Sequence, residues 1–275
     1  MDRPGLARLA GALPGAEAAP GPAVVAEADP ARFMAAFARA AAGGGPVFLA
    51  DPAWPAPRRA AFDGVVRAAA ARPEPAREGW LMIPSGGTGG RLKLARHDEA
   101  TLGAAVGGFC SHLGVERVHA VGVLPLHHVS GLMGWMRCLL TGGDYVPWSW
   151  KRLEAGELPE FAGGPAWFLS LVPTQLQRLL AVPGAAGWLR RFRAVFVGGG
   201  PLWPGLAAAA ARESLPLSPG YGMTETAAMV ATLPPGAFLA GERSCGPALP
   251  HARLELTADG RVRVAGGSLF RGYWP

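Results

Sequence analysis

The sequence predicts a layered α/β domain, and three observations carry that prediction. Short apolar runs of four to six residues, the size of buried strands, alternate along the chain with longer segments of helical spacing. Half of the 275 residues are hydrophobic and only 17% are charged, which supplies a large core. From about residue 247 the helical spacing gives way to alternating side chains around an Asp-Gly pair, the mark of a small β-rich piece at the C-terminal end.

Taken in order, residues 1–29 are dominated by Pro, Gly and Ala and are expected to be a poorly ordered, loosely packed lead-in. Asp29 is a good N-cap and Pro30 suits a first helical turn, so a helix is predicted over 30–42, with Phe33, Phe37 and Ala41 on one face. Three glycines at 43–45 stop it. An apolar strand follows at 47–50 and a helix at 58–71. Further strands are predicted at 80–83, 118–123, 167–171, 194–197 and 215–218, with helices at 98–113, 130–140, 174–181 and 204–212 between them. Segments 253–257 and 261–264 flank Asp259-Gly260 as a hairpin. The expected organisation is thus the lead-in, an α/β core over 30–246 in two subdomains, and the start of a β-rich subdomain over 247–275.

Composition excludes several functions. The net charge is +6 and every basic residue but Lys93 and Lys151 is Arg, yet the densest cluster, Arg190, Arg191 and Arg193, sits at a predicted helix end. With no basic stripe interleaved with aromatics, nucleic acid is not an expected partner, although a mild positive field suits anionic substrates. Cys110, Cys138 and Cys245 are odd in number, far apart and without C-x-x-C spacing, so neither a disulfide framework nor a zinc ribbon is expected, and the cytoplasm is the expected compartment. Pro4, Gly5, Gly11 and Pro14 break any leader, Arg137 interrupts the best membrane candidate at 129–140, and no membrane role is expected. His112, His119, His127 and His128 are close in sequence, but no H-x-x-x-H pair exists and neighbours on a regular element point different ways, which argues against a metal site there. No G-x-S-x-G elbow supports a hydrolase. Trp135, Trp148, Trp150 and Trp167 are read as packing residues.

Two glycine-rich stretches carry chemistry. Ser85, Gly86, Gly87, Thr88, Gly89 and Gly90 follow a predicted strand and lead to Lys93; backbone N–H groups and hydroxyls in such a loop wrap phosphate oxygens, and the lysine adds a point charge. A Walker A ending is absent, and a plain surface loop is the alternative. Residues 219–226 read Pro-Gly-Tyr-Gly-Met-Thr-Glu-Thr: Tyr221 offers a flat face for a base, Thr224 a hydrogen bond to a phosphoryl oxygen, and Glu225 an oxygen ligand for Mg²⁺. Alone, that stretch is equally a turn before a helix.

Together the two stretches resemble motifs of the adenylate-forming (ANL) acyl-CoA synthetase superfamily. The loop 85–93 resembles their Ser/Thr/Gly-rich phosphate loop ending in Lys, and 221–226 their Y-G-x-T-E-T motif. Residues 125–131 resemble P-L-F-H-x-x-G, with His127 in the aromatic position and His128 on the family histidine. Gly198, Gly199, Gly200 and Pro201 resemble the adenine-side loop, 244–250 the S-x-G-x-P-x-P segment, and Gly272-Tyr273 a G-Y pair near the end of the large domain. These matches come in family order over 81–275, and residues 125–131 with 170–176 look most like the 2-succinylbenzoate:CoA ligase branch of menaquinone synthesis.

The resemblance implies an αβαβα-type N-terminal large domain and an AMP-forming reaction in which a carboxylic acid, 2-succinylbenzoate above others, is converted with ATP to acyl-AMP and then with coenzyme A to the thioester. It implies that Ser85, Gly86, Gly87, Thr88, Gly89, Gly90 and Lys93 hold the β- and γ-phosphates, Thr224 the α-phosphate and Glu225 Mg²⁺. It further implies that Tyr221, Gly222 and Met223 with Gly198, Gly199 and Gly200 enclose adenine, that His128 lies beside the acyl carboxylate, and that Ser130, Gly131, Val172 and Thr174 line the acyl pocket. Lys93, His128, Thr224 and Glu225 would be the catalytic set. A homodimer is implied as well. About 80 residues precede the phosphate loop, fewer than in typical members, and the T-G-D motif, the hinge and the small C-terminal domain with its lysine are expected to be absent. A binding remnant that holds nucleotide or acyl-adenylate with little turnover, and a ligase for another aromatic or aliphatic acid, stay open as alternatives.

Overall fold

Successive side chains of a strand face opposite ways, so a strand buried on both sides reads as an unbroken apolar run. That is why the strands were visible. In the computed structural model, which describes residues 1–11, 21–71, 79–86, 92–162, 164 and 166–274, Val47 and Leu49 of one strand enter one core while Phe48 enters another. Val195 and Val197 likewise separate from Ala194 and Phe196.

The chain opens with α1 (Arg3–Leu9), β1 (Ala23–Val25), α2 (Pro30–Ala42), β2 (Val47–Leu49), α3 (Ala56–Ala71), β3 (Leu81–Ser85), β4 (Lys93–His97) and α4 (Glu99–Leu113). It continues with β5 (His119–Gly122), α5 (Val129–Thr141), β6 (Tyr145–Pro147), α6 (Trp150–Glu154), β7 (Trp167–Leu171), α7 (Pro173–Leu180), α8 (Ala185–Leu189) and β8 (Ala194–Val197). Then come α9 (Pro204–Arg212), β9 (Leu217–Met223), β10 (Ala228–Thr232), α10 (Pro235–Leu239), β11 (Ala252–Leu256), β12 (Val262–Gly266) and β13 (Tyr273–Trp274). One mixed sheet has the order β1-β2-β3-β4-β13, a second β10-β9-β8-β7-β5-β6, and β11-β12 form a separate hairpin in register Leu254↔Val264.

Burial sorts these elements into five layers. Phe62 of α3 packs with Phe48 and Met82 on the outer face of the first sheet. Helices α2, α4 and α5 fill the space between the sheets, Phe33, Phe37 and Trp135 meeting edge to face or stacked at 5.3–6.5 Å. The helices from α6 to α9 cover the far side of the second sheet with Leu153, Leu176, Trp188 and Leu206. The result is the αβαβα arrangement. Local signals hold the helices as expected: Asp29 Oδ1 accepts Arg32 N–H at 2.9 Å, Asp98 and Thr101 form a capping box on α4, and Gly114 closes α4 at φ +62°.

Several expectations need correction. The described part of the lead-in is ordered: Leu6 and Ala7 are buried in the inter-sheet core, Arg3 donates to the carbonyls of Ala40, Ala41 and Gly45, and β1 pairs in parallel with β2. Its Ala and Pro content hid a capped helical turn and a three-residue strand. No strand is expected from the sequence between 83 and 118, but residues 93–97 form one, β4, antiparallel to β3. Strand β9 runs on from 217 through the Gly-Tyr-Gly stretch to Met223, where β10 pairs with it. Residues 273–274 do not extend the hairpin; they pair antiparallel with β4 and complete the first sheet.

Candidate active site

In open α/β sheets ligands settle beyond the carboxyl ends of parallel strands. The second sheet has a cavity of about 250 Å³ there, walled by Leu171 and Val172 at the end of β7, Val197, Gly198 and Gly199 at the end of β8, Gly220 to Met223 on β9 and Thr224 just past it. Leu124, Val129, Ser130 and Arg137 close its other side. The wall therefore gathers Ser130, Val172, Gly198, Gly199, Tyr221, Gly222, Met223 and Thr224 of the expected set. Gly200 and Thr174 are exposed and stand outside it. Gly131 lines the smaller adjoining cavity, which shares Arg137 and Ser130 with the first. Gly87, Thr88, Gly89 and Gly90 lie outside the described residues.

Two glycines in these motifs are there for close approach. A Cβ on Gly222 would stand 2.0 Å from Ala228 O, across the β9–β10 pair, and one on Gly131 would stand 2.1 Å from Pro125 O, where α5 crosses its own preceding turn.

Beside the cavity, the first sheet meets Thr224 and Glu225. Buried His97 on β4 lies 2.7 Å from Thr224 O through Nε2 and 3.0 Å from Thr101 Oγ1 through Nδ1. Ser85 Oγ donates to Glu225 Oε1 at 2.5 Å, and Tyr273 Oη donates to the same oxygen at 2.8 Å. Burial pushes the Glu225 pKa up, but these two hydrogen bonds, together with a backbone hydrogen bond and nearby His97, hold the group below its ordinary value. Glu225 is thus ionised at neutral pH. A half-buried ionised carboxylate next to a threonine hydroxyl fits a hard divalent cation. Lys93 is exposed, its Nζ 5.1 Å from the Tyr273 ring centroid. Ser85, Lys93, Tyr273 and Glu225 therefore form one group spanning 188 residues of sequence separation, from 85 to 273.

The sequence reading missed Arg137. It served there only to break an apolar run, and that is the signal that could have found it: one cation in the apolar middle of α5. Arg137 is 5% exposed, its Nε has no hydrogen-bond partner, and no ion pair reaches its guanidinium among the described residues. The Phe109 ring lies 4.2 Å from its Cζ. Burial lowers its pKa to about 10, so it stays charged.

His127 and His128 also differ from expectation. They occupy a turn, not a regular element, and their rings are 4.6 Å apart beside Asp51, outside the cavity wall. No described helix is long and apolar enough to cross a membrane.

Comparison with known proteins agrees with this architecture. Residues 17–274 match the AMP-binding enzyme family. A 2-succinylbenzoate–CoA ligase of Geobacillus kaustophilus is 33% identical over 213 residues, which are 70% of this chain and 41% of that relative. The o-succinylbenzoate coenzyme A synthetase (MenE) of Bacillus subtilis in complex with the acyl-adenylate intermediate OSB-AMP superposes with a TM-score of 0.73 at 18% identity, covering 99% of this chain and 64% of that one. The same enzyme in complex with ATP and magnesium ion gives 0.71 at 18% identity, covering 93% and 62%. The chain thus spans about two fifths of the length of the ligase it matches in sequence.

Proposed function

The chain belongs to the AMP-binding enzyme family, and from that premise we propose that it carries the nucleotide and acyl sites of an AMP-forming ligase for 2-succinylbenzoate. The reaction is the two-step one: the acid attacks the α-phosphorus of ATP to give acyl-AMP and pyrophosphate, then the thiol of coenzyme A displaces AMP. The observation that carries the choice of acid is Arg137. An uncompensated buried cation is costly unless something pairs with it, and a monocarboxylic acid spends its one carboxylate at the phosphate end. 2-Succinylbenzoate keeps a second carboxylate on the ring, free to reach the guanidinium at the far wall.

The remaining roles follow from chemistry and position. Ser85, Gly86, the glycine-rich run after them and Lys93 cradle the β- and γ-phosphates; Thr224 reaches the α-phosphate. Tyr221, with Gly198 and Gly199, takes the adenine, and Ser130, Val172 and Arg137 the acyl group. Glu225 would hold Mg²⁺, which supplies charge neutralisation to the phosphates when bound. His97 fixes the Thr224 carbonyl. His128 and Thr174 do not line this cavity, whereas Arg137 does.

Calorimetric titration tests the reading. A stable 2-succinylbenzoyl-adenylate mimic should bind more tightly than a benzoyl-adenylate mimic, and ATP·Mg²⁺ should bind as well. Equal affinity for the two mimics would withdraw the acid; no nucleotide binding would withdraw the ligase.

A further inference from the structure

Asp51, His127 and His128 meet where the first sheet ends and α5 begins. Asp51 follows β2, and its Oδ1 accepts the Ala53 N–H at 2.8 Å, which fixes the carboxylate. His128 N–H donates to Pro125 O at 3.1 Å in the turn before α5, and as the N-cap residue it makes no side-chain capping bond. His127 is buried, 6% exposed, and His128 is exposed. The two rings are tilted by 52° with centroids 4.6 Å apart. His127 Nε2 stands 3.6 Å from Asp51 Oδ1, and one donor atom from each of the three residues lies within 4.8 Å of the other two.

A simple ion pair does not account for this. The 3.6 Å separation is too long for a hydrogen bond. The spacing is that of two ligands sharing an ion: with bonds of about 2.0–2.1 Å, adjacent ligand atoms of a tetrahedral centre lie ~3.4 Å apart. His128, being exposed, can turn to complete the set. Two imidazoles and one carboxylate suit first-row transition ions over Mg²⁺. Arg58 faces His128 and weighs against a cation, but its guanidinium is held over the Trp54 ring at 5.0 Å.

We propose that Asp51, His127 and His128 bind a divalent first-row transition-metal ion of the Zn²⁺ class, at a site separate from Glu225. Three protein ligands leave a position open for water. The ion ties the end of β2 to the start of α5, whose Val129 and Ser130 line the cavity. This site does not depend on the reaction proposed above.

The test uses the untagged chain carrying Cys245→Ser, which removes the exposed thiol. Zn²⁺ titration by calorimetry and Co²⁺ titration by visible absorption should both show one ion per chain, a four- or five-coordinate Co²⁺ spectrum without thiolate bands, and a raised Tm. Asp51→Asn and His127→Phe should each weaken affinity by about tenfold or more, since loss of a ligand costs at least what loss of an outer-shell partner does. Asp51→Asn is nearly isosteric and keeps an oxygen for Ala53, so it reports on the site even if His127→Phe perturbs packing. Glu225→Gln should leave Zn²⁺ affinity unchanged. Absence of stoichiometric binding, affinity unchanged in Asp51→Asn, or loss in Glu225→Gln would each overturn the site.

Discussion

Replacing Arg137 by Met should separate substrate recognition from stability. The guanidinium's pKa falls from 12.5 to about 10 on burial; at about 1.4 kcal/mol per unit, carrying the charge costs the ligand-free fold on the order of 3 kcal/mol. The Phe109 ring at 4.2 Å returns ~1–2 kcal/mol of that. Methionine fills similar apolar space without the charge, so Arg137→Met should unfold at the same temperature as the parent or a few degrees higher. Binding should move the other way. Truncating one partner of a buried charge pair costs ~3–5 kcal/mol, a loss on the order of 10²- to several 10³-fold in affinity for the 2-succinylbenzoyl-adenylate mimic. A matched mimic without the ring carboxylate should bind parent and variant alike. Calorimetry with both ligands, beside a thermal melt, decides it. Equal losses for both mimics, or no loss for either, would refute the assignment of Arg137 to the second carboxylate.

Three further outcomes are expected. Glu225→Gln should remove the benefit of Mg²⁺ for ATP binding, a loss on the order of tenfold, or ~1.4 kcal/mol, read by titrating ATP with and without the ion; an undiminished Mg²⁺ effect would place the cation elsewhere. Tyr273→Phe deletes one of the two hydrogen bonds that hold the Glu225 pKa down. A depressed carboxylate contributes stability and a ligand charge above its unfolded pKa and loses both as pH falls through its folded pKa. In the variant that loss should begin at a higher pH, seen in ATP·Mg²⁺ affinity profiles of both proteins, and superimposable profiles would count against the network. Gly222→Ala puts a Cβ 2.0 Å from Ala228 O, so urea unfolding should show destabilisation of about 2–3 kcal/mol; an unchanged midpoint would mean the β9–β10 pair yields freely.

Most of the layer plan was legible because the strands are buried on both faces and the helices carry their own caps, as Asp29, Pro30 and Gly114 show. What escaped was what distant residues decide. Lys-Leu-Ala-Arg-His at 93–97 reads as polar, yet Arg96 and His97 are buried, with Arg96 Nη2 donating to Arg271 O and His97 Nε2 bonded to Thr224 O, 175 and 127 residues away. Tyr221 looked like a loop residue since β10, its strand partner, has no strong signal of its own. The glycine-rich motifs were visible residue by residue, and the structure brings Gly198, Gly199 and Gly220 to Thr224 around one cavity. Arg137 and the Asp51–His127–His128 group were not visible in this way, for their meaning lies in missing or shared partners that only three-dimensional proximity reveals.

The return of β13 to β4 has a consequence for how the protein is made. Pairing of Tyr273 with Ala95 and Trp274 with Leu94, and the packing of Trp274 on Phe48 at 5.6 Å, join residues synthesised far apart in time. Until residue 274 leaves the ribosome, β4 waits as an open strand edge, a surface prone to wrong partners and to chaperone capture. Because Tyr273 also donates to Glu225, the nascent chain cannot complete the hydrogen bonds on that carboxylate before β13 docks, so a nucleotide held as proposed above should stabilise only molecules that have finished this closure.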